Sequence, residues 1–306
     1  MNFLFPFFNS LPGALGQGLA WGIMAIGVYL TYRVLDVSDL TVDGSLATGG
    51  AVCAVAISMG VNPWLAVLAG MLAGLVTGFF HTKCGIPAIL SGILTQLALY
   101  SINLRIMAIG DTASTKATVA LNVNSHNLLL SSRYIRSLSL ENPLILLVIV
   151  VGLVIAALYW FFGTEMGCSL RATGANQNMA RAQGINTDFS KVLALVVANG
   201  LVALSGALLA QYQGSATVDM GRGAIVIGLA AVIIGEVLFG KIFVNFALKL
   251  LACIIGAIIY YVVITLVLRL GLESTDLKLL TAMVVALFLT IPNWKNKIFH
   301  KKAKEV

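Results

Sequence analysis

Residues 165–186, EMGCSLRATGANQNMARAQGIN, stand between two long apolar runs at 142–162 and 189–211. In the middle of the chain this is the run that is too polar for lipid yet rich in helix formers and small residues. Gly167, Gly174 and Gly184 punctuate it, and Asn176 is placed to cap a short helix through Gln177, Met179, Ala180, Arg181 and Ala182. A short helix held between two membrane-crossing segments can dock a partner outside the bilayer and move with it as a lever. The plainer alternative is a solvated loop whose arginines follow the positive-inside tendency.

Working outward, the 306 residues are 59% hydrophobic and only 10% charged. Soluble domains run at about 45–50% apolar and about 25% charged. The composition is that of an all-α polytopic membrane protein. Its net charge of +7 does not argue for a nucleic-acid partner, because Lys295, Lys297, Lys301, Lys302 and Lys304 crowd the tail. Such a tail after a last span reads as a cytoplasmic anchor against anionic headgroups of the lipid bilayer. The N-terminus has no early Lys or Arg and no small-residue cleavage site, so the first span is expected to direct insertion. Cys53, Cys84, Cys168 and Cys253 are scattered and read as small buried apolar residues; His81, His126 and His300 form no metal motif. No metal or other cofactor is expected.

Apolar runs predict nine membrane segments, at 13–33, 44–60, 62–80, 88–107, 142–162, 189–211, 223–239, 244–269 and 277–292. Several are shorter than the ~20 residues that cross a bilayer without strain, and are expected to be tilted, broken or enclosed by protein. With the tail inside, the N-terminus and the loop 110–141 fall outside and the loop 164–188 inside. Twelve Lys and Arg then lie inside and seven outside, five of the twelve being the tail itself. Segments within 13–107 and 189–292 then form two halves of opposite orientation. The second segment of each half is short and opens on a charged residue and a glycine, Asp43 and Gly44 in one, Arg222 and Gly223 in the other. Paired short, glycine-interrupted segments point to an inverted repeat with a pathway between the halves.

Within the fourth segment, Gly92, Gln96, Tyr100 and Asn103 share one helical face about 16 Å long. Bare polar groups in hydrocarbon cost several kcal/mol each in order of magnitude, so this face must meet protein or water. Interhelical hydrogen bonding and pathway lining remain equal readings, with Asn199 in the sixth segment as a partner. Small residues recur as Ala203, Gly206, Ala207 and Ala210, and as Ala224, Gly228, Ala231 and Gly235, stripes that read as helix packing. The loop 110–141 carries an apolar run and then Arg133, Tyr134 and Arg136, which suits a surface helix or a platform for an outside partner.

Three stretches carry a resemblance: DVSDLTVDGSLATGGAV at 36–52, SGILTQLALYSINLRIM at 91–107, and the loop itself through Gly167, Arg171, Ala172, Gly174, Asn176, Ala180, Arg181 and Gly184. Together with the order of spans they resemble the ATP-binding-cassette importer permeases of the branched-chain amino acid and ribose type, nearest the subgroup for tryptophan and tyrosine uptake. The resemblance implies a permease subunit in the bacterial cell membrane, working as a homodimer or pseudo-dimer of two inverted-repeat subunits. Its implied partners are a cytosolic ATPase dimer, coupled through those loop residues, and an extracytoplasmic substrate-binding lipoprotein. Ribose-type permeases usually carry an extra N-terminal span and a cytoplasmic N-terminus, whereas this chain is expected to start outside. Branched-chain amino acids, sugars and nucleosides remain alternative solutes.

Nothing in the sequence can hydrolyse ATP, since the one Gly-Lys pair, Gly240 and Lys241, runs on into Ile242 rather than Ser or Thr. The chain is therefore expected to be a permease and no enzyme. An ion-coupled transporter is the competing class. It would be expected to place an ionisable residue at mid-membrane, whereas the carboxylates here, Glu236 included, read as lying mostly near segment ends.

Overall fold

A computed structural model describes residues 4–110, 114–121, 130, 142–240, 242–269 and, further on, 279, 282, 283, 285, 286 and 290. Ten α-helices make up the described residues: α1 Leu4–Tyr29, α2 Val42–Ser58, α3 Leu65–Thr82, α4 Ala88–Ile106, α5 Pro143–Gly163, α6 Glu165–Ala175, α7 Gln177–Ala182, α8 Thr187–Gln213, α9 Ala224–Phe239 and α10 Phe246–Arg269. Seven of the helical stretches are long and apolar enough to cross a bilayer, and α2 is a shorter apolar helix. Eight of the nine apolar runs thus become helices. The ninth, 277–292, falls mostly outside the described residues, as do the surface-helix reading of the 110–141 loop and the lysine tail.

Two of those helices are short for a reason that hydropathy does not reveal. After α1, a π-helical turn Leu30–Val34 ends at Asp36, whose φ of 56° lies in the left-handed region that Asp tolerates better than most residues. The chain then runs without helix through residues 37–40 before α2 starts. Instead of remaining at the end of the bundle, this connector returns into it. Asp39 reaches Asn199, about 18 Å along α8 from its first residue. The Thr41 hydroxyl lies 2.7 Å from that of Thr77 on α3, which lies 2.9 Å from Thr95 on α4. Gly92 of α4 presses on the connector so closely that a Cβ there would stand 2.8 Å from the Leu40 nitrogen.

At the other end, α8 stops at Gly214 (φ 72°) and leads into β2, Ser215–Thr217, and the 3-10 turn Val218–Gly221. This second connector also turns inward, and Gly223 (φ 83°) opens α9. There the two short helices meet. Both oxygens of Asp43, in the first turn of α2, accept from the start of α9: Oδ2 from the Gly223 amide and Oδ1 from the Ile225 amide, each at 2.9 Å. A carboxylate satisfying the unpaired N–H groups of a helix N-terminus is favourable for both groups.

Small residues set the packing. Gly70, Gly74 and Gly78 of α3 lie against Ala203, Leu195 and Val192 of α8, while Gly18 and Gly22 of α1 lie against Ile258 and Ile254 of α10. The α8 stripe works at Ala203 against Gly49 and at Gly206 against Leu46, both on α2; the α9 stripe works at Gly228 against α1 and at Gly235 against α10. Both stripes are packing seams, as their spacing suggests. α1 and α8 are the most enclosed spans, and α4 and α5 the least.

One feature has no counterpart in the sequence reading. β1, Thr118–Ala120, pairs antiparallel with β2, matching Thr118 to Thr217 and Ala120 to Ser215. Val119, Leu121, Ala216 and Val218 then close over Ala51, Ala54 and Val55 of α2 and Met107 after α4. The bundle therefore has a sheet end and an opposite end that carries α6 and α7. Of the cysteines, Cys53 and Cys253 are buried as expected, but Cys84 and Cys168 are exposed.

Candidate functional site

Two places gather the residues that the sequence singles out. The first is the α6–α7 end, where a helix as short as α7 cannot persist by its own propensity and must be held. Three caps in succession hold it and its neighbours. Thr164 Oγ1 accepts from the Gly167 amide at the start of α6, Asn176 Oδ1 from Met179 at the start of α7, and Asn186 Oδ1 from Phe189 at the start of α8. Gly184 (φ 80°) ends α7, and Ala180 is buried beneath it. Ala172 is half-buried, and its carbonyl accepts from the Asn176 amide.

Both arginines fix this unit to the bundle. Arg171 donates to the Phe162 carbonyl at 2.6 Å, meeting an acceptor that the end of α5 leaves unpaired, and its guanidinium stands 5.8 Å from the centre of the Phe246 ring. Arg181 donates through Nε to Thr187 Oγ1 at 2.9 Å and reaches Asp188 at 3.8 Å, tying α7 to the first turn of α8. Gly167 and Gly174 leave no room for a side chain: a Cβ would overlap the α5 backbone at Phe161 and Phe162 in one case and the Val34 carbonyl in the other. Met166, Met179 and Phe189 remain exposed at 54, 63 and 55%. The sequence reading passed over these apolar residues, although Met among polar neighbours was visible as a signal. Beside this platform lies a cleft of about 670 Å³ whose wall carries the ion pair of Arg33 and Glu236, at 2.8 Å, and Lys249.

The second place is a cavity of about 310 Å³ where α2 and α4 meet the connector before α9. Gln96, Tyr100 and Asn103 of α4 all line it, opposite Asp43, Gly44 and Ala47 of α2 and Val218 and Arg222. Arg222 pairs with Asp219 at 2.8 Å and stands 5.7 Å from the centre of the Tyr100 ring. Asn103 is buried, and among the described residues neither its Oδ1 nor its Nδ2 has a hydrogen-bond partner.

Asn199 is not part of this cavity. Its amide donates to Asp39 at 2.7 Å and to the Leu195 carbonyl at 3.0 Å, while its Oδ1 accepts from Ser45 at 2.6 Å. Asp39 also accepts from the Thr41 amide at 2.9 Å. The expectation that carboxylates keep to segment ends needs correcting here, because the returning connector carries Asp39 into the bundle, 3% exposed. Among the described residues, no group of three or more His, Cys, Asp or Glu could hold a metal ion.

The sequence matches, over residues 10–291, the family described as branched-chain amino acid transport system / permease component. It is 39% identical to the tyrosine transport system permease protein of Clostridioides difficile (strain R20291), over 97% of this chain and 96% of that one. It is 27% identical to the ribose import permease protein RbsC of Escherichia coli (strain K12), over 94% of this chain and 86% of that one. The chain belongs to the branched-chain amino acid transport permease family, and is a multi-pass membrane permease of the ATP-binding-cassette importer type.

Proposed function

We propose that this permease passes an amino acid with an aromatic side chain, of the tyrosine or tryptophan kind, inward across a bacterial cell membrane. The observation that carries the solute is the 39% identity, over nearly the whole of both chains, to a permease described as transporting tyrosine. Energy comes from a separate cytosolic ATPase dimer seated on α6 and α7, and the solute from an extracytoplasmic binding lipoprotein at the sheet end. The platform's three caps, two anchoring arginines and exposed methionines support the first seat. Gly167, Arg171, Ala172, Gly174, Asn176, Ala180, Arg181 and Gly184 are its coupling residues.

The path runs along Gln96, Tyr100 and Asn103. Tyr100, Ser101 and Arg105 are exposed on a helix that is otherwise apolar outside, and a second copy of the chain covering α4 would take them out of lipid. Asn199 contributes by holding the Asp39 connector behind that path. The halves 13–107 and 189–292 are inverted repeats. Their packing supports this: α1 lies on α10 as α8 lies on α3, and the two short helices start beside each other inside the bundle. An ion-coupled mechanism through Asp39 is disfavoured by the bonds that occupy its two oxygens.

Uptake of labelled tyrosine, tryptophan, leucine and ribose by the reconstituted permease, ATPase and binding protein tests the reading. ATP-dependent uptake of tyrosine or tryptophan is expected. Uptake of leucine or ribose alone would overturn the solute, and uptake by the permease without ATP would overturn the mechanism.

A further inference from the structure

From the cavity between α2, α4 and the connector before α9, we infer that the permease holds a station for the carboxylate of its solute, with Arg222 as the receiving group. The inference rests on the amino-acid reading above and goes beyond it by naming the atoms that meet the solute. Asp43 faces the same space, but both its oxygens are occupied by the first amides of α9. It therefore neutralises the helix N-terminus and leaves neither that terminus for an anion nor itself for a cation. Arg222 is in a different condition. Its Nε is taken by Asp219, while its two terminal nitrogens have no hydrogen-bond partner among the described residues. The π-face of Tyr100 lies beside the guanidinium, 5.7 Å from ring centre to Cζ. A guanidinium held on one edge presents its other edge as a fork that matches a carboxylate in two parallel hydrogen bonds.

Asn103 is the independent sign that something polar belongs here. It is 1% exposed and lines the cavity, and both ends of its amide lack a partner among the described residues. A buried amide left bare on both atoms is costly, and in a native structure it calls for an explanation. A solute that brings an acceptor and a donor, as a carboxylate beside an ammonium does, supplies both. Gln96 adds a second amide along the same face, and the cavity's volume of about 310 Å³ is at the small end of ligand pockets, suited to a single amino acid.

The test uses the full-length permease in nanodiscs and saturation-transfer-difference NMR. The probes are tyrosine, tyramine, which lacks the carboxylate, and 3-(4-hydroxyphenyl)propionate, which lacks the ammonium. Tyrosine and the propionate should bind wild type about tenfold more tightly than Arg222→Gln, with Arg222→Lys between them, and tyramine should not distinguish the three. Asn103→Leu should weaken tyrosine binding while melting no lower than wild type, because it removes two unpaired polar atoms; a purely structural amide would give the reverse. Equal tyrosine binding by wild type and Arg222→Gln, or an equal dependence of tyramine on Arg222, overturns the station. ATP-driven tyrosine uptake by the wild-type importer, measured alongside, separates the two failures. With uptake intact and no Arg222 dependence, only the station falls; with ribose carried instead of amino acids, the solute reading falls and takes the station with it.

Discussion

Asp39 shows how a single residue can be legible as chemistry and misplaced as geometry. In the sequence it sits four residues before the charged opening of a short apolar segment, and so reads as part of a solvated turn. In the structure its oxygens accept from the Thr41 amide and from Asn199, and Asn199 in turn accepts from Ser45. The sequence does single out Asn199, but as a partner for the polar face of α4 rather than for Asp39. What was missing was the partner, because it lies 160 positions away and hydrogen bonding over that distance leaves no local pattern. Replacing Asp39 by Leu would leave the Thr41 amide and one of the two Asn199 side-chain N–H groups without an acceptor, each at a cost of about 1–3 kcal/mol. Asp39→Asn keeps an acceptor oxygen and should cost less. Thermal unfolding of the purified permease should therefore rank wild type above Asp39→Asn and that above Asp39→Leu; a Leu variant melting with wild type would show that the connector is not held by this network.

At the scale of elements, apolar length found eight helices, seven of them near their observed bounds while α1 starts well before its apolar run, and capping chemistry found α7 from Asn176. α6 was harder to see, because Gly167 and Gly174 look like helix breakers. They are instead the points where α6 packs against backbone too closely for any side chain. Strands β1 and β2 were invisible for a related reason: three residues each, far apart in sequence, give no alternation to read. The α6–α7 unit also makes a prediction that tells holding from coupling. Arg181 is more than half exposed, and a surface pair such as its contact with Asp188 contributes at most about 1 kcal/mol. Arg181→Glu should thus leave the permease folded and in the membrane, while setting a carboxylate against Asp188 and tilting α7 on its seat. Loss of solute-stimulated ATP hydrolysis and of uptake is expected in the reconstituted importer. Normal coupling in that variant would remove Arg181, and the platform with it, from the transmission path.

Over the whole molecule, the two ends of the bundle differ in chemistry, and that difference should fix the orientation in the membrane. The α6–α7 end gathers Arg33, Lys83, Arg171, Arg181 and Lys249, whereas the sheet end carries Arg105, Lys116 and Arg222, the last paired with Asp219. Cytoplasmic loops collect Lys and Arg, so the α6–α7 end is expected inside and β1 outside. The two returning connectors make this a stricter proposition than counting charges on loops. Because α2 and α9 both begin inside the bundle, a count of spans can be wrong by one without changing which end faces the cytoplasm. Cysteine labelling decides it without depending on that count. In a background with Cys84 and Cys168 replaced by Ser, a membrane-impermeant thiol reagent applied to intact cells should label Thr118→Cys and spare Gln177→Cys. Inverted vesicles should give the opposite pattern. Labelling of Gln177→Cys from outside would reverse the orientation and leave a cytosolic ATPase no seat on α7, so the importer mechanism stands or falls with this result.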